Sequence, residues 1–418
     1  MLWKASVFTF VDFMGWSPQN IFIKDFTYHL PQERIAAFPL EKRDDSKLLV
    51  YRDGLIVDDR FFNLDGYIFS NCLLVLNDTR VIEARIFFQK ITGAVVEIFC
   101  LEPYNQNIET SLAEKRSSTW RCLIGGASKW KHGQILSKEI ESDGSVIALN
   151  AKYIAKEADS FVIEFNWTPS EMSFAEVLHA SGAIPLPPYI KRQAEAVDKE
   201  RYQTVFGIHE GSVAAPTAAL HFTEDIFRKL AAKGIKKEFV TLHVGAGTFK
   251  PVKTETIAEH EMHNESFTVT KAALQEILNA PSVVAVGTTS SRTLESIHWL
   301  AVKHMSTRSV NEWQLSQWEC YSLSREMTYR ESYAHLIEWM EANDVEQLHC
   351  KTSLIIVPGY SFKVAEGLIT NFHQPQSTLL LLVAAFIGDD WRRIYEHALK
   401  NNYRFLSYGD SSLLWRNL

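Results

Sequence analysis

Two histidines stand where apolar runs give way to polar turns: His243 after FVTL (239–242) and His373 after LITNF (368–372). An open α/β sheet meets its ligands at the carboxyl ends of its strands, so a histidine leading into the Gly-rich turn 245–247 is a place to look for chemistry. A third, His221, follows a run of small residues over 212–219 that leaves room for another backbone or a flat ligand. The apolar run 72–76 closes in Asn77, Asp78, Thr79 and Arg80, which puts four hydrogen-bonding side chains at a sheet edge. The same four residues are equally an ordinary turn signal. GTTSSRT (287–293), with Thr288, Thr289 and Arg292, lies between an apolar run at 282–286 and a helical pattern over 294–302. A hydroxyl-rich turn at a helix N-terminus suits a carboxylate or a sugar hydroxyl.

Two further stretches carry possible chemistry. IPLPPYIKR (184–192) has prolines at 185, 187 and 188, which enforce an extended backbone and project Tyr189, Lys191 and Arg192. With Arg201 and Tyr202 of DKERYQTVF (198–206), these cations and rings suit a phosphate backbone and a stacked base. A rigid connector between domains reads equally well. HEMHNE (260–265) resembles a metal site superficially, yet it lacks the HExxH spacing and a third ligand, so no metal is expected.

The elements that must hold these residues fall into two textures. Apolar runs at 46–50, 72–76, 239–242, 282–286, 354–357 and 368–372 alternate with helical patterns at 32–38, 173–181, 224–232, 271–278, 294–302, 332–341 and from 379. That is an α/β main domain with a mostly buried sheet, ending in a strand and turn over 403–410. From 84 to 167 there are only short β-type runs with Gly or Asp-Gly between them, and no helix of useful length. They predict an inserted small all-β barrel domain. The expected division is a discontinuous α/β catalytic domain (21–83 and 168–418), an inserted barrel (84–167) and an N-terminal extension (1–20). No role follows for 303–347, which is rich in Trp, Ser and Glu.

Composition narrows the classes further. A net charge of −7 does not advertise nucleic acid, although one local basic groove would serve inside an acidic chain. Five cysteines without CxxC spacing fit a reducing compartment rather than a disulfide framework or a zinc site. The longest apolar run, 379–387, is far below the ~20 residues of a membrane span. No signal-peptide pattern appears, so a cytoplasmic protein is expected.

Several of these turns are similar to one family. TLHVGAGTF (241–249), GSVAAPTAALHFT (211–223), IPLPPYIKR, ERYQTVF (200–206), VGTTSSRTLES (286–296), LITNFHQPQSTLL (368–380), LVLNDTRVIEAR (74–85) and LPQERIAAFPLEKRDDSKLLV (30–50) resemble S-adenosylmethionine:tRNA ribosyltransferase-isomerases of queuosine biosynthesis. The resemblance spans roughly 21–302 and 352–418. Ala219 stands where the family usually has Gly, Gln376 where Lys is usual, and Ser291 replaces an apolar residue.

The resemblance implies transfer and isomerisation of the ribosyl part of S-adenosylmethionine onto 7-aminomethyl-7-deazaguanine at the wobble position of tRNA. Epoxyqueuosine forms, and adenine and methionine leave. Such chemistry needs a base for the C5′ proton beside the sulfonium, a donor for departing adenine, and oriented groups for the ribose and the methionine carboxylate. Imidazoles suit the proton transfers. His243 and His373 are the first candidates and His221 the third. Thr217, Thr288, Thr289, Arg292, Asn77, Thr79, Arg80, Thr370 and Asn371 are expected ligand contacts. Tyr189, Lys191, Arg192, Arg201 and Tyr202 are expected on the tRNA side. The implied co-substrate is S-adenosylmethionine without a metal, and the implied state a monomer. Two alternatives remain at this point, a catalytically altered tRNA-binding paralogue and an S-adenosylmethionine-dependent methyltransferase.

Overall fold

The computed structural model describes residues 17–142, 144–245, 247, 251–307 and 313–416. Most of the expected N-terminal extension (1–16), Ala246 of the Gly-rich turn and the following 248–250 lie outside the described residues. The described residues of Met1–Leu76, Asp225–Val240 and Lys250–Leu418 form one compact unit, and those of Asn77–Glu224 and Thr241–Phe249 a second.

The first unit is built on a mixed sheet of ten strands among the described residues. Their order is Gln314–Leu315, Gln347–Thr352, Glu265–Thr270, Lys236–Leu242, Cys72–Asn77, Ser282–Val286, Gly367–Asn371, Ser411–Trp415, Lys47–Arg52 and Leu55–Arg60. Cys72–Asn77, Ser282–Val286 and Gly367–Asn371 run parallel in the middle. Every residue of Cys72–Asn77, Gly367–Asn371 and Ser411–Trp415 is buried. Strands covered on both faces read as largely apolar runs, which is why Cys72–Asn77 and Gly367–Asn371 stood out in the sequence. The very apolar helix Thr378–Ile387 packs inside as well, and its first turn is capped by Ser377, whose Oγ accepts from the Leu380 amide at 3.2 Å.

The second unit holds a seven-stranded antiparallel sheet in the order Gly182–Ala183, Arg85–Gln89, Val95–Pro103, Ser117–Gly125, Phe161–Thr168, Ser145–Lys156 and Ile135–Ser142. It curls until Arg85–Gln89 approaches Ile135–Ser142, a half-barrel. Burial alternates along Ser117–Gly125, and the inward Trp120, Phe165 and Trp167 surround Phe174 at 5.3–5.4 Å between ring centroids. Phe174 opens the helix Phe174–Ser181, which Ser173 and Glu176 start with a capping box. The α/β main body and the small all-β part are thus both present.

Several elements differ from expectation for local reasons. The hydroxyl-rich stretch 287–293 is not a turn: the helix begins at Thr288 and runs to Thr307. Its hydroxyls bond back along the helix, Ser290 to the Val286 carbonyl at 2.9 Å and Thr293 to the Thr289 carbonyl at 3.0 Å, so they do not compete with it. Residues 354–357 are buried extended chain beyond the strand Gln347–Thr352, not a strand. At the end of the chain 403–410 is a turn, and the strand is Ser411–Trp415. Only a 3₁₀ turn, Gln32–Arg34, forms within 32–38. The small sheet also carries a short helix, Ile108–Ala113, capped by Asn107.

Candidate active site

In the second unit the chemistry gathers where Cys72–Asn77 and Lys236–Leu242 end. Asn77 is fully buried, and its side-chain amide pairs with both backbone groups of Leu242, donating at 2.9 Å and accepting at 3.0 Å. That clip joins the last residues of the two strands, and the next residue is His243. Asp78 is buried; it accepts from the Thr241 hydroxyl at 2.7 Å and lies 3.7 Å from His209. Burial pushes its carboxyl upward, while the Thr241 bond and the neighbouring His209 pull it back. Thr79 is buried as well, with its hydroxyl 3.3 Å from the His209 carbonyl and 3.3 Å from Nδ1 of His243. The residue after His243 is fixed by Ser212, whose hydroxyl accepts from the Val244 amide at 2.9 Å.

His243 itself is half-buried, and burial together with the nearby His209 lowers its pKa to about 4. At neutral pH it is uncharged and able to accept a proton. Its ring edge lies against Gly211: a Cβ there would stand 3.0 Å from Nδ1 and only 2.4 Å from Cγ1 of Ile108. Gly211 also has φ +135°, a conformation that disfavours side chains. Gly211→Ala is therefore expected to displace the imidazole and cut turnover at least tenfold by ~1 Å misplacement. Wild-type kcat in that variant would show that the ring position does not matter.

The other sequence candidates of this unit are spread along it. Thr217 and His221 belong to the 3₁₀ segment Thr217–His221, with His221 buried. Arg80 is half-exposed and faces Glu210 at 3.9 Å. In the proline-rich segment Lys191 is exposed and Tyr189 half-buried. Arg192 makes a two-pronged pair with the fully buried Asp198 at 2.7 and 2.8 Å. Arg201 is half-buried, and Tyr202 is fully buried.

The first unit holds the remaining candidates. Gly287, with φ +93°, donates to the Ile369 carbonyl at 2.8 Å and starts the helix bearing Thr288, Thr289 and Arg292. Thr289 is half-buried and Thr288 buried. Arg292 is ion-paired with the buried Glu265, and burial lowers the guanidinium to about 10, still charged at neutral pH. Thr370, Asn371 and His373 are all buried at the end of Gly367–Asn371. Nε2 of His373 lies 2.9 Å from the Thr370 hydroxyl, its amide donates to Tyr395 Oη at 3.0 Å, and its carbonyl accepts from Tyr28. This grip on His373 joins residues far apart in the chain, and Tyr28 and Tyr395 carried no sequence signal for it.

Burial holds three imidazoles neutral in the folded chain: His243 at about 4, and His373 and His298 each at about 3, against 6.5 when exposed. Below pH 6.5 the unfolded chain binds protons that the folded chain refuses. Their contribution is thus intact above 6.5 and is lost as pH falls towards 4 and then 3. The urea midpoint is expected to fall steadily from pH 7 to 4.5, by an energy on the order of a few kcal/mol. A flat midpoint across that range would contradict the burial of these rings.

His209 and Thr241 are the members of this cluster that sequence reasoning did not single out, and Asp78 was seen only within the polar quartet 77–80. Among the described residues no three His, Cys, Asp or Glu side chains are grouped to hold a metal ion. Glu265 of HEMHNE is engaged with Arg292 instead. No helix among the described residues is long and apolar enough to cross a membrane.

The family model described as queuosine biosynthesis protein matches residues 23–414. The S-adenosylmethionine:tRNA ribosyltransferase-isomerase of an Azoarcus species is 38% identical over 94% of this chain and 98% of that protein. The protein of the same name from Halothermothrix orenii is 36% identical over 94% and 99%. A crystal structure of S-adenosylmethionine tRNA ribosyltransferase from Thermotoga maritima is 27% identical, covering 93% of this chain and 99% of that one, with a TM-score of 0.44. The sequence matches alone carry the assignment, since they run nearly end to end in both partners. The chain belongs to the queuosine biosynthesis family, alongside the S-adenosylmethionine:tRNA ribosyltransferase-isomerases.

Proposed function

We propose that this chain transfers and isomerises the ribosyl moiety of S-adenosylmethionine onto tRNA in queuosine biosynthesis. The acceptor is the aminomethyl group of 7-aminomethyl-7-deazaguanine at the wobble position, and adenine and methionine are released. The observation that carries this reading is the neutral His243 imidazole, delivered by a buried strand end and clipped in place through Asn77 and Ser212. A neutral imidazole takes the C5′ proton made acidic by the adjacent sulfonium. His373 and His221 are the remaining proton-handling candidates. The helix start at Thr288 and Thr289 suits the methionine carboxylate, for its backbone amides and dipole favour an anion. Arg292, Thr217, Thr370 and Asn371 supply further donors, and Arg80 one more cation. Asn77 acts through Leu242, and Thr79 through His243 and the His209 carbonyl.

On the tRNA side we assign Tyr189, Lys191 and Arg201 to contact, with Arg192 and Tyr202 holding their segment in shape. The protein works as a monomer in the cytoplasm, with S-adenosylmethionine as co-substrate and without a metal. The test is incubation of the purified chain with S-adenosylmethionine and precursor-bearing tRNA, with a chelator present. Adenine release supports the transferase. S-adenosylhomocysteine would mean methylation, and tRNA binding without adenine would mean an altered paralogue.

A further inference from the structure

We infer that Thr79 is a positioning residue that fixes the tautomer of His243, holding the proton on Nδ1 and leaving Nε2 as the proton acceptor. A threonine hydroxyl has one proton to give and lone pairs with which to accept. The Thr79 hydroxyl touches two groups, the His209 backbone carbonyl at 3.3 Å and His243 Nδ1 at 3.3 Å. A carbonyl only accepts, so both contacts are hydrogen bonds together only when the hydroxyl proton goes to His209. The hydroxyl then bonds Nδ1 only by accepting, and Nδ1 must carry a hydrogen. Hydrogen bonds at catalytic groups run long before substrate arrives, as both do here. The tautomer of a histidine is set by the bond its other nitrogen makes.

Packing points the same way. The Nδ1 and Cε1 edge faces Gly211 so closely that even a methyl carbon there would stand 3.0 and 3.1 Å away. Thr79 and the Gly211 backbone leave no space on that edge for a reacting carbon. Nε2 makes no hydrogen bond among the described residues. A free histidine side chain prefers its proton on Nε2, which would block this nitrogen as a base. Thr79 reverses that preference, much as a partner on one ring nitrogen orients the imidazole in hydrolase triads.

The inference rests on the reading of His243 as the base, and the tests separate the two. In the folded protein labelled with ¹⁵N-histidine, proton–nitrogen correlation spectra, assigned by difference with His243→Gln, should show Nδ1 protonated and Nε2 bare near pH 7.5. A proton on Nε2 overturns the inference whatever the activity. Thr79→Val should move the proton to Nε2 and lower kcat by about tenfold or more, within the ~10²–10⁴ that a general base supplies, leaving KM for S-adenosylmethionine unchanged. Thr79→Ser should restore both the spectrum and kcat. Wild-type kcat in a folded Thr79→Val protein overturns the positioning role. Should that variant not fold, the wild-type spectrum and the serine variant still decide. Full turnover by His243→Ala sinks the base reading, while the spectrum still reports the tautomer.

Discussion

His243→Ala is expected to lower adenine release by ~10²–10⁴, the contribution of a well-placed general base, with little change in stability. The ring is half-buried, and Thr79 is its one hydrogen-bond partner among the described residues. Removing it thus forfeits about 1 kcal/mol of hydrogen bonding rather than a core contact. The strand end survives because Asn77 grips Leu242 and Ser212 grips Val244, and neither bond involves the imidazole. Single-turnover release of adenine, measured beside a thermal melt, separates lost chemistry from lost fold. Unchanged turnover would remove His243 from the reaction.

Arg292→Ala is expected to destabilise the first unit by about 3–5 kcal/mol, because it takes the paired charge away from the buried Glu265 carboxylate. Glu265 is 5% exposed, so water cannot replace the guanidinium. Arg292→Met combined with Glu265→Leu should recover most of that loss, since breaking a buried pair costs more than replacing it. Urea unfolding of the two variants checks this. If Arg292→Ala melts like the parent and instead raises KM for S-adenosylmethionine, the guanidinium serves the substrate rather than the core.

What could be read in advance was set by burial and period. Ser282–Val286 was legible to the residue because a parallel strand covered on both faces is an unbroken apolar run. The same signal misled at 354–357, where the chain is buried and extended yet makes no ladder. At 287–293 hydroxyl-rich composition looked like a turn, since nothing local reveals that Ser290 and Thr293 will each bond to the carbonyl one helical turn back. The quartet 77–80 was visible as polar side chains at a strand end, but not its partners. Thr241 and His209 reach Asp78 from more than a hundred residues away, and only the fold brings them there. His243 and His373 were found as residues at strand ends; the bonds that hold each of them were not.

The Arg192–Asp198 clamp bears on how an acidic protein takes hold of a polyanion. Nucleic-acid affinity in dilute salt is largely the entropy of ions shed from phosphates, and each side-chain cation that meets a phosphate frees roughly one. Arg192 already has its counter-charge within the protein, so of the adjacent cations at 191 and 192 the one still poised to displace an ion from RNA is Lys191. If this segment meets tRNA as proposed, attraction there is weak by construction, and what the clamp would supply is a rigid shape.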